Sequence, residues 1–243
     1  MLEKVTGFIV SSMDYRETSL ILKVFTKEHG LMSVIGKGVK SLKSPLRALT
    51  LPYTYGYFYL YYKENKLSIL KDVDILDPLF KIHEDLTLLS YMNYFVDFVS
   101  QVYKESENSY LFDLLQSAVL KVNEGFDPAV LSSILEIKCL PMLGVGLSLD
   151  ACISCGSQKE IVTLDADQGG LLCKKCYRNE KIYHPETIKL FRLFQYVDIA
   201  KITKLNIKKE IKKEMDLFLS NYYSRYTGIY FGSKEFLKKI KPL

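Results

Sequence analysis

The chain has 243 residues, a length for two or three modules rather than one. Hydrophobic residues make up 48% and charged residues 25%, which excludes global disorder. The formal charge of +5 permits an acidic partner without demanding one, and it is unevenly spread: residues 1–80 sum to +3, 81–150 to −6 and 151–243 to +8. Met1–Gly7 shows no secretory h-region or cleavage site, so the expected location is the cytoplasm, and an odd count of five cysteines there predicts no disulfide framework.

Residues 5–76 read as strands over Val5–Val10, Ser19–Thr26, Leu31–Gly36, Leu51–Tyr62 and Leu67–Val73, each short and rich in β-branched and aromatic residues. Gly30 is placed to take a positive φ in a hairpin turn after Lys27-Glu28-His29. Five short strands in about 75 residues predict a small closed barrel of the OB type. From Ile82 the period changes to 3.6, predicting helices at 83–105, 109–123 and 128–143. Within the first, Leu86–Tyr103 could pass for a membrane span, with Asp97 as its only charge, but Ser90, Asn93, Asp97, Ser100, Gln101 and Lys104 share one face, so a buried helix with a narrow wet stripe is expected and no membrane contact. Asp127 and Pro128 form an N-cap and first helical position, and Pro141 and Gly144 should end that helix. Residues 150–182 are polar and turn-rich; helical signal resumes at 185–196 and 207–226. The expected class is therefore α+β, with a barrel over 1–80, a helical body over 81–149 and 183–243, and a cysteine module inserted at 150–182.

The strongest chemical signal is Cys152-x2-Cys155-x17-Cys173-x2-Cys176. Each Cys-x2-Cys turn aims two thiolates at one point, and such a spacer lets two turns close a tetrahedron around Zn²⁺. A redox site normally shows one pair rather than two, and iron in the same cage is a competing reading. With four thiolates bound there is no open position for water, so the metal is read as structural. Lys174, Lys175 and Arg178 are placed to offset the negative charge of the cage, and Cys139 reads as core.

A second signal is Lys37-Gly38-Val39-Lys40-Ser41-Leu42-Lys43-Ser44-Pro45-Leu46-Arg47, in a stretch without Asp or Glu from 29 to 63. It reads as a mobile basic loop, with Lys37, Lys40, Lys43 and Arg47 as contacts for a phosphate backbone. Tyr53, Tyr55, Tyr57, Tyr59 and Tyr61 alternate along one strand, as a stacking platform for bases or as sheet cover, with Phe58 and Leu60 on the other face. Lys208–Glu214 reads as a solvated helix face, His184 as a capping or surface residue, and Asp72, Asp74 and Asp77 as a strand-end turn. No nucleophile–base pair or phosphate-binding glycine motif points to an enzyme. On these motifs alone, a zinc-ribbon RNA-binding or assembly factor competes with a DNA-binding protein.

Three stretches, in order along nearly the whole chain, resemble the RecO family of bacterial recombination mediators. They are Tyr15–Gly30 with Gly36–Lys40, then Leu135-Glu136-Ile137 leading to Leu149–Gly156, and finally Ser233-Lys234-Glu235-Phe236-Leu237. The resemblance implies an OB barrel, a helical body and a four-cysteine zinc module. It also implies binding of single- and double-stranded DNA on the nucleoid, strand annealing, and RecA loading with RecR. A further implied partner is the acidic C-terminal tail of single-stranded-DNA-binding protein. Some relatives place arginines just before the Leu-Glu pair; here stand Ser132 and Ser133. The charge map then points to Lys138, Lys209 or Lys213 as cations for that tail, with Leu135 or Ile137 as apolar walls.

Overall fold

The computed structural model describes residues 1–64, 66–229 and 231–240. They form two compact units, Met1–Asn123 and Glu124–Leu243. Among the described residues no helix is long and apolar enough to cross a membrane.

In the first unit, β1 (Leu2–Tyr15), β2 (Ser19–Thr26), β3 (Gly30–Gly36), β4 (Tyr55–Tyr61) and β5 (Ser68–Asp77) close a barrel in the order β1-β2-β3-β5-β4. All pairs are antiparallel except β3 with β5, where Val34 faces Ser68 and Ile35 faces Ile69. That order, with its one parallel pair, is of the OB type expected from strand count and spacing. Alternation sends Val5, Ile9, Leu22, Val24, Val34, Phe58, Leu60, Leu70 and Val73 into the barrel core. β1 runs well past the expected Val10, because an irregularity between Ile9 and Ser11 lets the strand bend and keep pairing to the hairpin tip.

Apolar residues on the outer face explain what covers the barrel. Phe8, Phe25 and Tyr55 are buried; Phe8 stacks on Tyr55 at 4.3 Å, and the Phe8 and Phe25 rings meet Tyr103 and Phe112 at centroid distances of 5.1–5.9 Å. Those partners lie on α2 (Leu86–Ser106) and α3 (Tyr110–Glu124). The expected helix from 83 is broken in two. Asp85 has extended backbone and its carboxylate accepts from the N–H groups of Thr87 and Leu88, which caps α2 and separates it from the short α1 (Phe80–Glu84). The polar stripe of α2 is not simply wet: Asn93 Oδ1 accepts from Tyr53 Oη at 2.9 Å, and Asp97 accepts from Gln101.

The second unit is built on α4 (Pro128–Cys139), which is buried almost all round, with α5 (Pro185–Tyr196), α6 (Lys209–Tyr226) and α7 (Gly232–Ile240). Asp127 caps α4 as expected, and Gly144 at φ +73° closes the turn after Pro141. Glu136, on α4 and 1% exposed, is held by Lys234 Nζ of α7 at 2.8 and 2.9 Å; the same ammonium reaches Asp216 of α6 at 3.1 Å. Tyr223 Oη donates to the Glu136 carbonyl at 2.7 Å. Burial draws the Lys234 ammonium downward in pKa, but Glu136 and Asp216 outweigh it and hold the group above its usual range. Cys139 is fully buried, in keeping with a core role. The cysteine segment, expected as turns, contains a three-stranded sheet: β6 (Ser148–Cys152), β7 (Ile161–Asp165) and β8 (Gly170–Cys173) in the order β6-β8-β7.

Candidate metal centre and nucleic-acid interface

β6 and β8 lie side by side and parallel, with Cys152 opposite Leu171. Each strand ends on the first cysteine of a pair, so both Cys-x2-Cys turns leave the same end of the sheet. Tight turns then fold the second cysteine back. Gly156 N–H donates to Cys152 O at 2.8 Å with φ +72°, and Cys176 N–H donates to Cys173 O at 3.0 Å. The four sulfurs lie within 4.8 Å of one another, and Cys155 Sγ is 3.6 Å from Cys173 Sγ. A tetrahedron of thiolates with metal–sulfur bonds of about 2.3 Å has edges of about 3.8 Å, so the set fits a single four-coordinate ion.

The electrostatics agree. Burial pushes the Cys152 thiol up, but N–H groups of Cys173, Cys155 and Ser154 more than reverse this and bring it down to about 6. Cys176 is pushed up to about 12, chiefly by its hydrogen bond with the Cys155 sulfur. Closely packed sulfurs that cannot all carry charge alone are discharged together by a cation. Cys152 and Cys173 are buried, Cys155 is exposed, and Leu172 and Ile161 pack beside them. Lys174, Lys175 and Arg178 are exposed on and after the second turn.

The basic segment is anchored rather than mobile. Val39 is 1% exposed and belongs to the barrel core, with Leu46 and Leu49 packed on the same cluster. Lys40 N–H donates to Thr18 O at 2.9 Å and Gly38 N–H to Ser19 Oγ at 3.3 Å, which binds the segment to the tip of the β1–β2 hairpin. Successive turns follow, from Ser41 N–H to Gly38 O, Ser44 to Ser41, and Arg47 to Ser44. Lys37, Lys43 and Arg47 are exposed, and none is paired with a carboxylate among the described residues. Lys40 is different, because its Nζ meets Asp14 Oδ2 at 2.7 Å.

Two cations missed in the sequence join this surface. Arg16 stands at the hairpin tip with φ +56°, its guanidinium 5.3 Å from the Tyr15 ring centroid. Lys23 is exposed on the outer face of β2, opposite Ser11 and Ser33. Arg16 lies two residues before Thr18, whose carbonyl accepts from Lys40 N–H, and Lys23 stands farther along the β2 strand that follows. The strand 2–3 face and its adjoining loops are where OB barrels take oligonucleotides.

The tyrosine row divides. Tyr53 and Tyr55 are tied to α2 and α3, Tyr53 through Asn93 and Tyr55 through the Gln116 side chain. Lys4 Nζ sits 3.6 Å from the Tyr57 ring centroid, and Tyr59 Oη donates to Asp74 at 2.8 Å. Asp72 and Asp74 stand on β5 itself, opposite Tyr59 and Tyr57, and not in a turn. Carboxylates beside the rings repel a phosphate backbone, so this face is a poorer stacking platform than the sequence suggests.

The residues expected to receive an acidic tail do not meet. Leu135 and Ile137 are 1% and 2% exposed, inside the core. Lys138 Nζ donates to the Gln195 carbonyl near the end of α5 at 3.3 Å, and burial lowers its pKa, with Asp198 partly opposing. Lys209 and Lys213 are exposed on the first turns of α6, flanking Lys212, which pairs with Asp127 at 2.7 Å before α4 begins. Eleven residues of α4 at ~1.5 Å each therefore separate them from Lys138, roughly 16 Å. His184 caps α5, its Nδ1 accepting from Glu186 N–H at 3.1 Å, as expected.

Residues 1–79 match the family description Recombination protein O N terminal, and residues 83–235 match Recombination protein O C terminal. The chain is similar to the DNA repair protein RecO of Halalkalibacterium halodurans, at 32% identity over all of this chain and 97% of the relative. It is similar to the DNA repair protein RecO of Bacillus subtilis at 32% identity, covering 100% and 96%, and to that of Listeria monocytogenes at 30%, covering 98% and 95%.

Proposed function

The chain belongs to the RecO family, and from that premise we propose that it is a DNA-binding recombination mediator acting without turnover chemistry. The observation that carries the reading is the anchored run of turns at the barrel's hairpin end, where Lys37, Lys43 and Arg47 stand free of carboxylates. Arg16 and Lys23 extend it over the β2–β3 side. Cations spaced along fixed turns follow phosphates by charge, not base edges, so binding is indifferent to sequence and suits strand annealing. With RecR, the protein would help load RecA on DNA coated by single-stranded-DNA-binding protein, whose acidic tail docks on the second unit.

In this reading Cys152, Cys155, Cys173 and Cys176 hold one Zn²⁺, which joins two turns that lack a core of their own. The test is annealing of complementary oligonucleotides coated with the cognate single-stranded-DNA-binding protein. Acceleration by the wild-type chain, lost when Lys37, Lys43 and Arg47 are all changed to Ala, supports the reading; equal rates with and without the protein overturn it. Elemental analysis of protein purified without chelator should find one zinc per chain.

A further inference from the structure

The basic segment carries branched apolar side chains at Val39, Leu42, Leu46 and Leu49, and three of them turn inward. Val39 belongs to the barrel core, and Leu46 and Leu49 pack on the same cluster. Leu42 does the opposite. It is 85% exposed, more than any other large apolar side chain among the described residues except Met1. Its place is fixed. Ser41 N–H donates to Gly38 O at 3.1 Å and Ser44 N–H to Ser41 O at 3.0 Å, which makes Leu42 and Lys43 the two central residues of a closed turn. Just before it, Lys40 N–H holds the Thr18 carbonyl at 2.9 Å, so the turn is tied to the hairpin tip that carries Arg16.

A lone surface leucine is ordinary, so exposure alone decides nothing. The position does. Turn centres favour Gly, Pro, Asn, Asp or Ser, and this leucine stands at one in the stretch best suited to hold phosphates. Lys37 and Lys43 flank it and Arg47 follows, none paired with a carboxylate among the described residues. A strand drawn to those cations brings its bases to the apex of the turn. A docked protein would want an apolar patch, whereas the chain neighbours of Leu42 are Ser41 and Lys43. Aliphatic side chains do enter between base steps, and parting bases costs least in a strand that is already unpaired. We propose that Leu42 is a wedge that enters between adjacent bases of a single strand whose phosphates lie on Lys37, Lys43 and Arg47. It parts bases that would otherwise stack on one another, so the strand is held open to its complement. It also favours single strands over duplex, where the same insertion disrupts paired and stacked bases. The assignment rests on the DNA-binding reading, and its test separates the two.

The probe is an oligodeoxyadenylate strand carrying one 2-aminopurine, whose fluorescence rises when its neighbours unstack, titrated with the full chain purified without chelator. Wild-type protein should raise the fluorescence at saturation. Leu42→Ser should remove most of that rise and weaken single-strand binding about tenfold, with the salt slope unchanged, because no cation is lost. Leu42→Met should keep the rise, since an unbranched apolar side chain can still enter. Lys43→Ala should lower the slope and keep the rise at saturation. If Leu42→Ser saturates with the wild-type rise, or if the wild type binds without any rise, the wedge is overturned and the DNA-binding reading stands. If the wild type does not bind the strand at all, both fall. If Leu42→Ser keeps affinity and rise but no longer anneals strands coated with single-stranded-DNA-binding protein, Leu42 serves a protein contact and the proposal is wrong.

Discussion

Lys37, Lys43 and Arg47 are exposed and unpaired, whereas Lys40 Nζ already holds the Asp14 carboxylate at 2.7 Å. Each cation that meets a phosphate should contribute about 0.7 to the slope of log affinity against log salt on single strands. Lys37→Ala, Lys43→Ala and Arg47→Ala should each lower that slope by about this amount, across unrelated sequences. Lys40→Ala should weaken binding with little change in slope, because it exposes Asp14 without removing a phosphate contact. Asp14→Asn should do the reverse, freeing Lys40 and raising both affinity and slope. Titrations at four salt concentrations check all five variants. Gly30 is a second residue with no substitute: its φ is +63°, and an added Cβ would collide with the Tyr103 ring. Gly30→Ala should cost about 2 kcal/mol or more in denaturant unfolding, since backbone strain and a steric clash add.

α4, α6 and α7 are joined by one buried charge cluster. Glu136 and Lys234 are 98 residues apart in the chain and less than 3 Å apart in space. Lys234→Met leaves the buried Glu136 carboxylate without its cation and should cost about 3–5 kcal/mol, whereas Glu136→Leu leaves Lys234 still paired with Asp216 and should cost less. The double variant should recover much of that loss, because two apolar groups of similar volume need no solvation. Urea unfolding of the four proteins closes the cycle; additive losses would show that the pair is not coupled. The pairing also makes Leu135-Glu136-Ile137 and Ser233–Leu237, two separate stretches of the resemblance, the two halves of one contact in this chain. Neither stretch shows this alone, since a lysine on an amphipathic helix ordinarily faces solvent.

Two compact units divide the chain between α3 and α4, so α2 and α3 belong with the barrel. Phe8 and Phe25 would be bare without Tyr103 and Phe112, and Tyr55 would lose Gln116. A fragment of residues 1–123 should therefore fold cooperatively, while residues 1–80 should be less stable and prone to aggregate through that face. Circular dichroism melts and gel filtration of the two fragments compare them directly. On the proposed zinc site, chelation should act on the other unit, raising amide exchange over residues 148–176 and leaving the barrel core protected, because the turns would lose the ion that joins them and the barrel supplies none of its ligands.

Local chemistry was legible in the chain itself. The double Cys-x2-Cys spacing announces four sulfurs that meet, period-two alternation puts Phe58 and Leu60 inside the barrel, and Asp127 before Pro128 and His184 before Pro185 cap helices, because each turn, alternation and cap depends on neighbours within a few residues. What packs against the outside of an element is not local, and there the tertiary structure decided. It split the tyrosine row between helix contacts and an acidic edge, closed Leu135 and Ile137 into the core, and made a sheet of a segment that reads as turns. It also turned a loop that reads as mobile into anchored turns, through Val39 entering the barrel. In each case the same residues had two physically sound uses, solvated or covered, and only contacts between distant parts of the chain select one.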